Sequence, residues 1–230
     1  MIDPYLSDTL TRKYENTAKP HVRMTERVVS PKKLDFIDVV TSSHNHTDHL
    51  NAGTLLPLLQ ANPALTVIIS AANRQFAADR LGVQLERLTL VHADGEPVTF
   101  HAIPSAHDSL ETDENGEPKF VGYFIEVGGR TIYHSGDACP YNGLEEQLER
   151  WQIDLVLLPI NGRDPARGVA GNFTSEEAAE LGKAIDVGLV APCHYEMFEF
   201  NTVPPENSST VPRAIGCACQ VLKAGERLSL

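Results

Sequence analysis

Cysteine, tryptophan and long apolar runs are all scarce in this chain. Its 230 residues include four cysteines and one tryptophan, and the cysteines all lie in the second half, at Cys139, Cys193, Cys217 and Cys219. They are too few and too late for the disulfide framework of a secreted protein, so we expect reduced thiols. Cys217-x-Cys219 could form half of a zinc site, but its place in an apolar stretch favours one buried and one exposed strand residue.

Segments that would direct the chain to a membrane or out of the cell are also lacking. No apolar stretch approaches the ~20 residues that a membrane-spanning helix needs. The opening residues, Met1 to Tyr5, have neither the basic nor the apolar region of a secretion signal. The sequence therefore predicts a cytoplasmic protein with no membrane partner.

Positively charged residues are fewer than negatively charged ones. The chain has 19 Lys plus Arg against 31 Asp plus Glu, which gives a formal net charge of -12. Such a field repels phosphate backbones, so nucleic acid is not an expected partner. A basic pocket could still bind one phosphate of a small-molecule substrate, because salt screens the diffuse field beyond ~10 Å. Assembly into a homo-oligomer stays open at this stage.

What is present is an alternation of strands and helices within ordinary globular composition, 42% hydrophobic and 22% charged. No feature marks a second domain, so we expect a single domain over residues 1–230. Apolar patterning predicts seven main strands, with a Gly128-Gly129 turn joining the fourth and fifth. These are Leu34–Val40, Leu65–Ser70, Val98–Ile103, Phe120–Val127 with Arg130–His134, Ile153–Ile160 and Val187–Pro192.

Helices are predicted between these strands, and a loop and a hairpin after them. Ala71–Leu81 and Gly143–Trp151 have helical patterns, and Thr174 opens a capping box for a helix that runs to Ile185. The Pro- and Ser-rich stretch Asn201–Pro212 indicates a loop. The last two apolar stretches, Cys219–Leu222 and Arg227–Leu230, suggest a closing hairpin.

The strongest chemical signal is His44-Asn45-His46-Thr47-Asp48-His49, directly after the first predicted strand. In an extended segment His44 and His46 point the same way, so both can reach one ion. Asp48 and His49 fall where the chain turns toward a helix near Thr54, which suits a neighbouring second ion. Imidazole with carboxylate is a ligand set for Zn, Fe or Mn. Single histidines usually just occupy surface loops, but three within six residues are rarely found there.

Three more candidate ligands follow later strands. His107, Asp137 and His194 are individually weak signals, because a lone His or Asp after a strand is commonly an ordinary loop residue. Strand ends of an alternating chain can converge at one edge of the sheets, however, and together these residues would complete two coordination spheres. His134 competes for a ligand role, although it lies within a strand and could equally be a supporting or core residue.

The hexapeptide resembles the His-x-His-x-Asp-His signature of the metallo-β-lactamase superfamily, and the resemblance runs from about Leu34 to Phe198. It implies an α/β fold, a four-layer αββα sandwich, with two divalent metal ions, Zn or Mn. It also implies that His44, His46 and His107 bind the first metal, Asp48, His49 and His194 the second, and that Asp137 bridges them. The usual first strand pair of that fold is not apparent, because the chain begins just ahead of Asp3-Pro4-Tyr5.

Other stretches resemble the branch of this superfamily that contains L-ascorbate-6-phosphate lactonase. They are Ile2 to Asp8, Ala106 to Ser109, Leu158 to Asp164, Gly171 to Thr174 and His194 to Phe198. The resemblance implies a hydrolase whose metal-bridging hydroxide attacks the lactone of a small phosphorylated sugar acid, with Asp48 as the catalytic carboxylate. Arg163 and Arg167 could grip the phosphate, or could be solvated surface arginines. Asn172 could support the substrate pocket, or could serve a turn.

Three other functions stay open on the sequence. The same pair of metals could serve a phosphodiesterase acting on a small or lipid-derived substrate. Related folds also hold di-iron centres for oxidoreduction, but those commonly have Glu where this chain has Asn45. A non-catalytic binding protein could keep the fold, although the complete ligand set argues against it.

Overall fold

The computed structural model describes residues 1–90, 98–205 and 216–230, and the strands within these ranges form two sheets. The first sheet has three parallel strands, β1 (Val39–Ser42), β2 (Thr66–Ile69) and β3 (Leu88–Thr89). The second has five strands in sequence order, β4 (Val98–Pro104), β5 (Val121–Val127), β6 (Arg130–His134), β7 (Leu155–Pro159) and β8 (Leu189–Cys193). Strands β4 to β6 are antiparallel, whereas β6 to β8 are parallel.

Helices cover one face of each sheet. Two helices pack on the first sheet and two on the second, while α1 (Thr9–Tyr14) lies near the chain start. The first pair is α2 (Ala52–Ala61) and α3 (Arg74–Leu81), and the second is α4 (Leu144–Leu148) and α5 (Ser175–Ala184). The predicted capping box is confirmed, because Thr174 accepts from the backbone N–H of Glu177 and the Glu177 carboxylate accepts from that of Thr174.

Alternating side chains on the strands separate the layers. On β2, Val67 packs against α2 and α3, whereas its neighbour Ile68 packs against the second sheet. On β5, Tyr123 faces the first sheet, and Phe124 faces α4 and α5. Both sheets are therefore covered on both faces, and the order of layers is αββα as predicted.

The hairpin between β5 and β6 turns at Gly128-Gly129, as expected. Both glycines have positive φ, 58° and 76°, which the tight primed turn requires at its two central positions. The turn fixes the register of β6 against β5, and β6 in turn carries the chain to Asp137.

The first strand was predicted too early, over Leu34–Val40. A 3-10 turn at Pro31–Lys33 precedes this segment, and the side chain of Asn62 forms hydrogen bonds with the backbone of the segment. Its Nδ2 donates to the Leu34 carbonyl at 2.7 Å, and its Oδ1 accepts from the Ile37 N–H at 3.0 Å. An amide side chain takes the place of a partner strand there, so the ladder begins at Val39.

The prediction of a closing hairpin over Cys219–Leu222 and Arg227–Leu230 is wrong. Cys219 instead forms an isolated parallel bridge with Val190 of β8, and no strand is present in residues 216–230. Cys217 is buried against α5, and neither cysteine belongs to a group of potential metal ligands among the described residues. Of the predicted loop Asn201–Pro212, residues 201–205 lie outside helices and strands, and the rest is outside the described residues.

The described helices are also informative about membranes. None of those within residues 1–90, 98–205 and 216–230 combines the length and apolar character needed to cross a bilayer. The single domain over residues 1–230 stays a prediction.

Candidate metal centre

Four strand ends meet at one edge of the two sheets. Because β4 and β6 are both antiparallel to β5, they run in the same direction, and β7 and β8 follow β6 in parallel. Their carboxyl ends therefore lie together, next to that of β1. His44 follows β1, His107 follows β4, Asp137 follows β6 and His194 follows β8 directly. The topology thus brings distant parts of the chain to one place.

The seven residues expected to be metal ligands form two groups with one shared member. In each group the potential ligand atoms lie within 4.8 Å of one another. Asp137 belongs to both groups, and its carboxylate is 3.1 Å from His49 Nε2 and 3.3 Å from His194 Nε2. The first group is His44, His46, His107 and Asp137, and the second is Asp48, His49, Asp137 and His194.

Hydrogen bonds behind the site orient two of the rings. His107 Nδ1 is 2.9 Å from the Gly171 carbonyl oxygen, which can only accept, so Nδ1 carries the proton. His49 Nδ1 is 2.7 Å from Asp3 Oδ2 and donates to it in the same way. In both rings Nε2 is the atom that faces Asp137. Metal-binding histidines commonly have such a partner on the remaining nitrogen.

In the first group, His44 and His46 are neutral imidazoles, and His44 has a ring nitrogen without a hydrogen-bond partner. Burial, followed by the charge of His49, holds the pKa of His44 well below its ordinary value. Burial and the neighbouring His107 also lower the pKa of His46. His44 Nε2 is buried without a hydrogen-bond partner, 4.0 Å from Asp137 Oδ2. A buried lone pair without a donor is costly unless a cation or water occupies the position in front of it.

The second group is an ion cluster when no cation is bound. Burial lowers the pKa of His194, but the carboxylates of Asp137 and Asp48 outweigh it and raise the pKa to about 10. The same carboxylates raise the pKa of His49 well above its ordinary value against the effect of burial. Both carboxyl groups have lowered pKa values despite burial, because these imidazoles stabilise their charged forms.

Asp3 is the site residue that the sequence analysis missed. Its carboxylate accepts hydrogen bonds from Thr41 Oγ1 at 2.7 Å, from the Ser43 N–H at 3.0 Å and from the Ser43 hydroxyl, besides His49. Burial alone would raise the pKa of Asp3, but the rings of His134 and His49 bring it well below its usual range. The Asp3-Pro4 stretch was noted for its resemblance, but nothing local linked it to His49.

His134 lies behind the two groups and is not a member of either. It ends β6, and its Nε2 is 3.6 Å from Asp3 Oδ2. His134 thus lies beside the Asp3 carboxylate, which orients the ring of His49.

The chain is strained where it delivers His194. This residue has a φ of 58° and Glu196 has a φ of 53°, in the left-handed region that non-glycine residues rarely adopt. The Glu196 N–H donates to Thr202 Oγ1 at 2.7 Å, which helps to hold the turn. Backbone strain of this kind is typical of functional sites, where the surrounding contacts maintain it.

The two arginines expected to grip a phosphate have protein partners instead. Arg163 pairs with Glu177, and Arg167 donates to the carbonyls of Asn161 and Thr202. Neither side chain is among the described residues that line the cavity over the two groups. These contacts secure the loop after β7, and the phosphate-binding role that the sequence left open for both arginines stays a prediction.

Asn172 does line that cavity, whose volume is about 670 Å³. Its Nδ2 donates to Asn161 Oδ1 at 2.9 Å, and its own Oδ1 is buried without a hydrogen-bond partner. Asp48, His46 and His194 line the same cavity, which is of the size that small-molecule sites usually have.

Comparison with known proteins places this geometry in a family. Residues 1–195 match the model of the beta-lactamase superfamily domain. A protein of Staphylococcus saprophyticus named metal-dependent hydrolase is 28% identical over 204 residues, which cover 84% of this chain and 82% of that protein. A protein of Escherichia coli named probable L-ascorbate-6-phosphate lactonase is 26% identical over 205 residues, which cover 82% of this chain and 57% of the relative. The chain spans little more than half the length of the lactonase relatives that it matches.

Solved structures share the fold. The isothiocyanate hydrolase from Delia radicum gut bacteria superposes with a TM-score of 0.77 at 18% identity, over 100% of this chain and 91% of that one. A metallo hydrolase from Ignicoccus hospitalis superposes with a TM-score of 0.64 at 21% identity, over 98% of this chain and 88% of that one. At these identities the likeness establishes the four-layer architecture.

The family match covers most of the chain, and it includes every residue of the two groups of potential ligands. The sequence relatives are named metal-dependent hydrolase and probable lactonase, and the fold of the solved structures agrees with the layers described above. The chain therefore belongs to the metallo-β-lactamase superfamily, as a metal-dependent hydrolase related to the L-ascorbate-6-phosphate lactonases.

Proposed function

We propose that this hydrolase holds two divalent cations, zinc or manganese, and opens the ring of a small-molecule lactone. The first cation would be held by three imidazoles, the second by two imidazoles and a carboxylate, and Asp137 would contact both. These ligands are His44, His46 and His107 for the first, and Asp48, His49 and His194 for the second.

The observation that carries the proposal is the set of imidazole nitrogens around one buried carboxylate. His44 Nε2 has no hydrogen-bond partner, and the Nε2 atoms of His49 and His107 face Asp137 with their Nδ1 protons held by other groups. Nitrogen and carboxylate donors in this ratio suit zinc or manganese. Bound there, two such cations supply Lewis acidity and lower the pKa of a water from about 15.7 towards 7, which makes hydroxide available in neutral solution.

Asp48 is the carboxylate best placed to act on the reacting groups. Its side chain is 28% exposed and lines the cavity, whereas that of Asp137 is 6% exposed. Despite burial, His49 and His194 keep the pKa of Asp48 low, so it is ionised at neutral pH. An ionised carboxylate can orient the attacking water by accepting its hydrogen bond, and can carry the proton to the departing ring oxygen.

A lactone fits the proposal for two reasons. Relatives that match four-fifths of this chain are named probable L-ascorbate-6-phosphate lactonase. The net negative charge of the chain also repels the phosphate backbone of a polynucleotide. L-ascorbate 6-phosphate is therefore the first substrate to test. The partners of Arg163 and Arg167 mean that its phosphate would need other contacts.

Changing one ligand of the first group should remove one cation. We expect His46→Gln to lower the metal content from about two ions per chain to about one, because the remaining ligands of the second group are intact. Inductively coupled plasma mass spectrometry of the dialysed proteins measures this. His101→Gln is the matched control, since His101 on β4 pairs with Glu126 on β5 and does not line the cavity. Equal metal content in both variants would contradict the assignment.

Removing the charge of Asp48 should slow the reaction. We expect Asp48→Asn to lower kcat/KM for lactone hydrolysis by ~10²–10⁴-fold, because an amide neither accepts nor transfers the proton. The rates are compared at matched metal content, measured on the same samples. Asp79→Asn, in an exposed position on α3, is the control and should leave the rate unchanged. Wild-type turnover by fully loaded Asp48→Asn would show that another group handles the proton.

Metal binding should release protons. At pH 7 the raised pKa values of His49 and His194 mean that both rings are protonated without a metal, and both must lose a proton to become ligands. We expect at least about two protons per chain, with the release from His194 fading as the pH rises through about 10. Calorimetric titration of the metal-free protein with Zn²⁺, in buffers of different ionisation enthalpy, measures the number. Heat independent of the buffer would rule out this ligand set.

A further inference from the structure

The outer part of the cavity is lined by stacked rings. Tyr14, His21, Phe198 and Phe200, here called the aromatic wall, all line the cavity that contains Asp48 and His194. His21 is at the centre, with its ring stacked on Tyr14 at a centroid distance of 4.1 Å. Its ring is also 4.3 Å from that of Phe200 and 5.0 Å from that of Phe198.

The aromatic wall is built onto the segment that carries His194. The Met24 N–H donates to the Met197 carbonyl at 3.0 Å, and the Glu199 N–H donates to the Val22 carbonyl at 3.1 Å. This short pairing joins the segment after α1 to the segment after β8 and brings His21 into the cavity. The rings therefore have a fixed position relative to the proposed second cation.

The wall itself contributes no charged side chain, although Lys13 lines the cavity beside Tyr14 and the Arg23 guanidinium lies 5.9 Å from the Phe198 ring. Burial lowers the pKa of His21 below its ordinary value, so the ring is neutral at pH 7. Two apolar side chains extend the lining toward solvent, Phe76 at 43% exposure and Val169 at 41% exposure. Exposed apolar residues that continue a ring-lined cavity are typical of a ligand-binding surface.

The charged groups near the rings are poor candidates for binding an anion. Arg80 Nη1 donates to the carbonyls of Asn45 and Leu50, and its guanidinium lies 4.4 Å from the Phe76 ring. Lys13 Nζ is 5.0 Å from the Tyr14 ring, on an exposed side chain. Ion pairs with exposed lysines contribute little, because water solvates the ammonium group well.

We propose that the aromatic wall binds an apolar substituent of the substrate, a ring or a short hydrocarbon chain attached next to the bond that is hydrolysed. The preferred substrates are then hydrophobically substituted lactones. This inference rests on the proposed function for its chemistry, and on the continuity of the wall with the metal centre for its position.

A pair of lactones that differ in one substituent tests the proposal. We expect the metal-loaded protein to hydrolyse γ-phenyl-γ-butyrolactone with a kcat/KM about tenfold or more above that for γ-butyrolactone. Phe200→Ala should remove most of this preference and bring the ratio of the two kcat/KM values toward one. Phe200→Leu should keep part of the preference. Phe36→Ala is the matched control, because Phe36 is 71% exposed and does not line the cavity.

Two outcomes would overturn the inference while leaving the proposed function intact. One is the lack of a preference that depends on the wall, seen either as similar rates for the two lactones or as an equal loss for both in Phe200→Ala. The other is a higher kcat/KM for L-ascorbate 6-phosphate than for the two lactones, which Lys13→Gln abolishes and Phe200→Ala does not. That result would make the outer cavity an anion site.

A binding measurement covers the case in which no lactone is cleaved. The proposed function would then fail, and the cyclic ethers 2-phenyltetrahydrofuran and tetrahydrofuran would test the wall alone. Tighter calorimetric binding of the phenyl compound, weakened by Phe200→Ala and unchanged by Phe36→Ala, would support the inference. Equal binding of the two ethers, or no effect of Phe200→Ala, would overturn it.

Discussion

The structure depends most on one buried carboxylate. Asp137 has a side chain that is 6% exposed, and Nε2 atoms of four imidazoles lie within 4.0 Å of its oxygens. A carboxylate buried in this way is strongly destabilising unless cations or protonated partners surround it. The convergence of four strand ends provides those partners, and the αββα layers hold the strand ends in place. In the proposed function, the same carboxylate is the contact shared by both cations.

Support for this centre comes from behind it as well as from the cavity. Asp3 accepts from His49 and from the backbone and hydroxyl of Ser43, and the Gly171 carbonyl accepts from His107. The loop that carries Gly171 is in turn fixed by Arg163. These arginine contacts explain why a residue type suited to phosphate has a structural place here. In the proposal made above, a substrate bound at the metal centre would also meet the aromatic wall.

Much of the fold and of the site could be predicted from the sequence, because those signals are local. The density of His44 to His49 and the position of His107, Asp137 and His194 after apolar strands indicated the seven residues, and the resemblance to the metallo-β-lactamase signature divided them into two groups. Long-range contacts were not visible. Asn62 replaces a partner strand near Leu34, and residues 22–24 pair with residues 197–199 to bring His21 into the cavity. No spacing rule links Asp3 to His49 either, since 46 residues separate them.

In the proposed function, a pair of cations occupies the two sides of Asp137. Anomalous X-ray diffraction from crystals grown with Zn²⁺, collected at and below the zinc absorption edge, locates such ions directly. We expect two strong peaks, one among His44, His46 and His107, the other among Asp48, His49 and His194, with Asp137 touching both. No peak at this edge of the sheets, or a single peak that leaves either set of side chains without an ion, would contradict it.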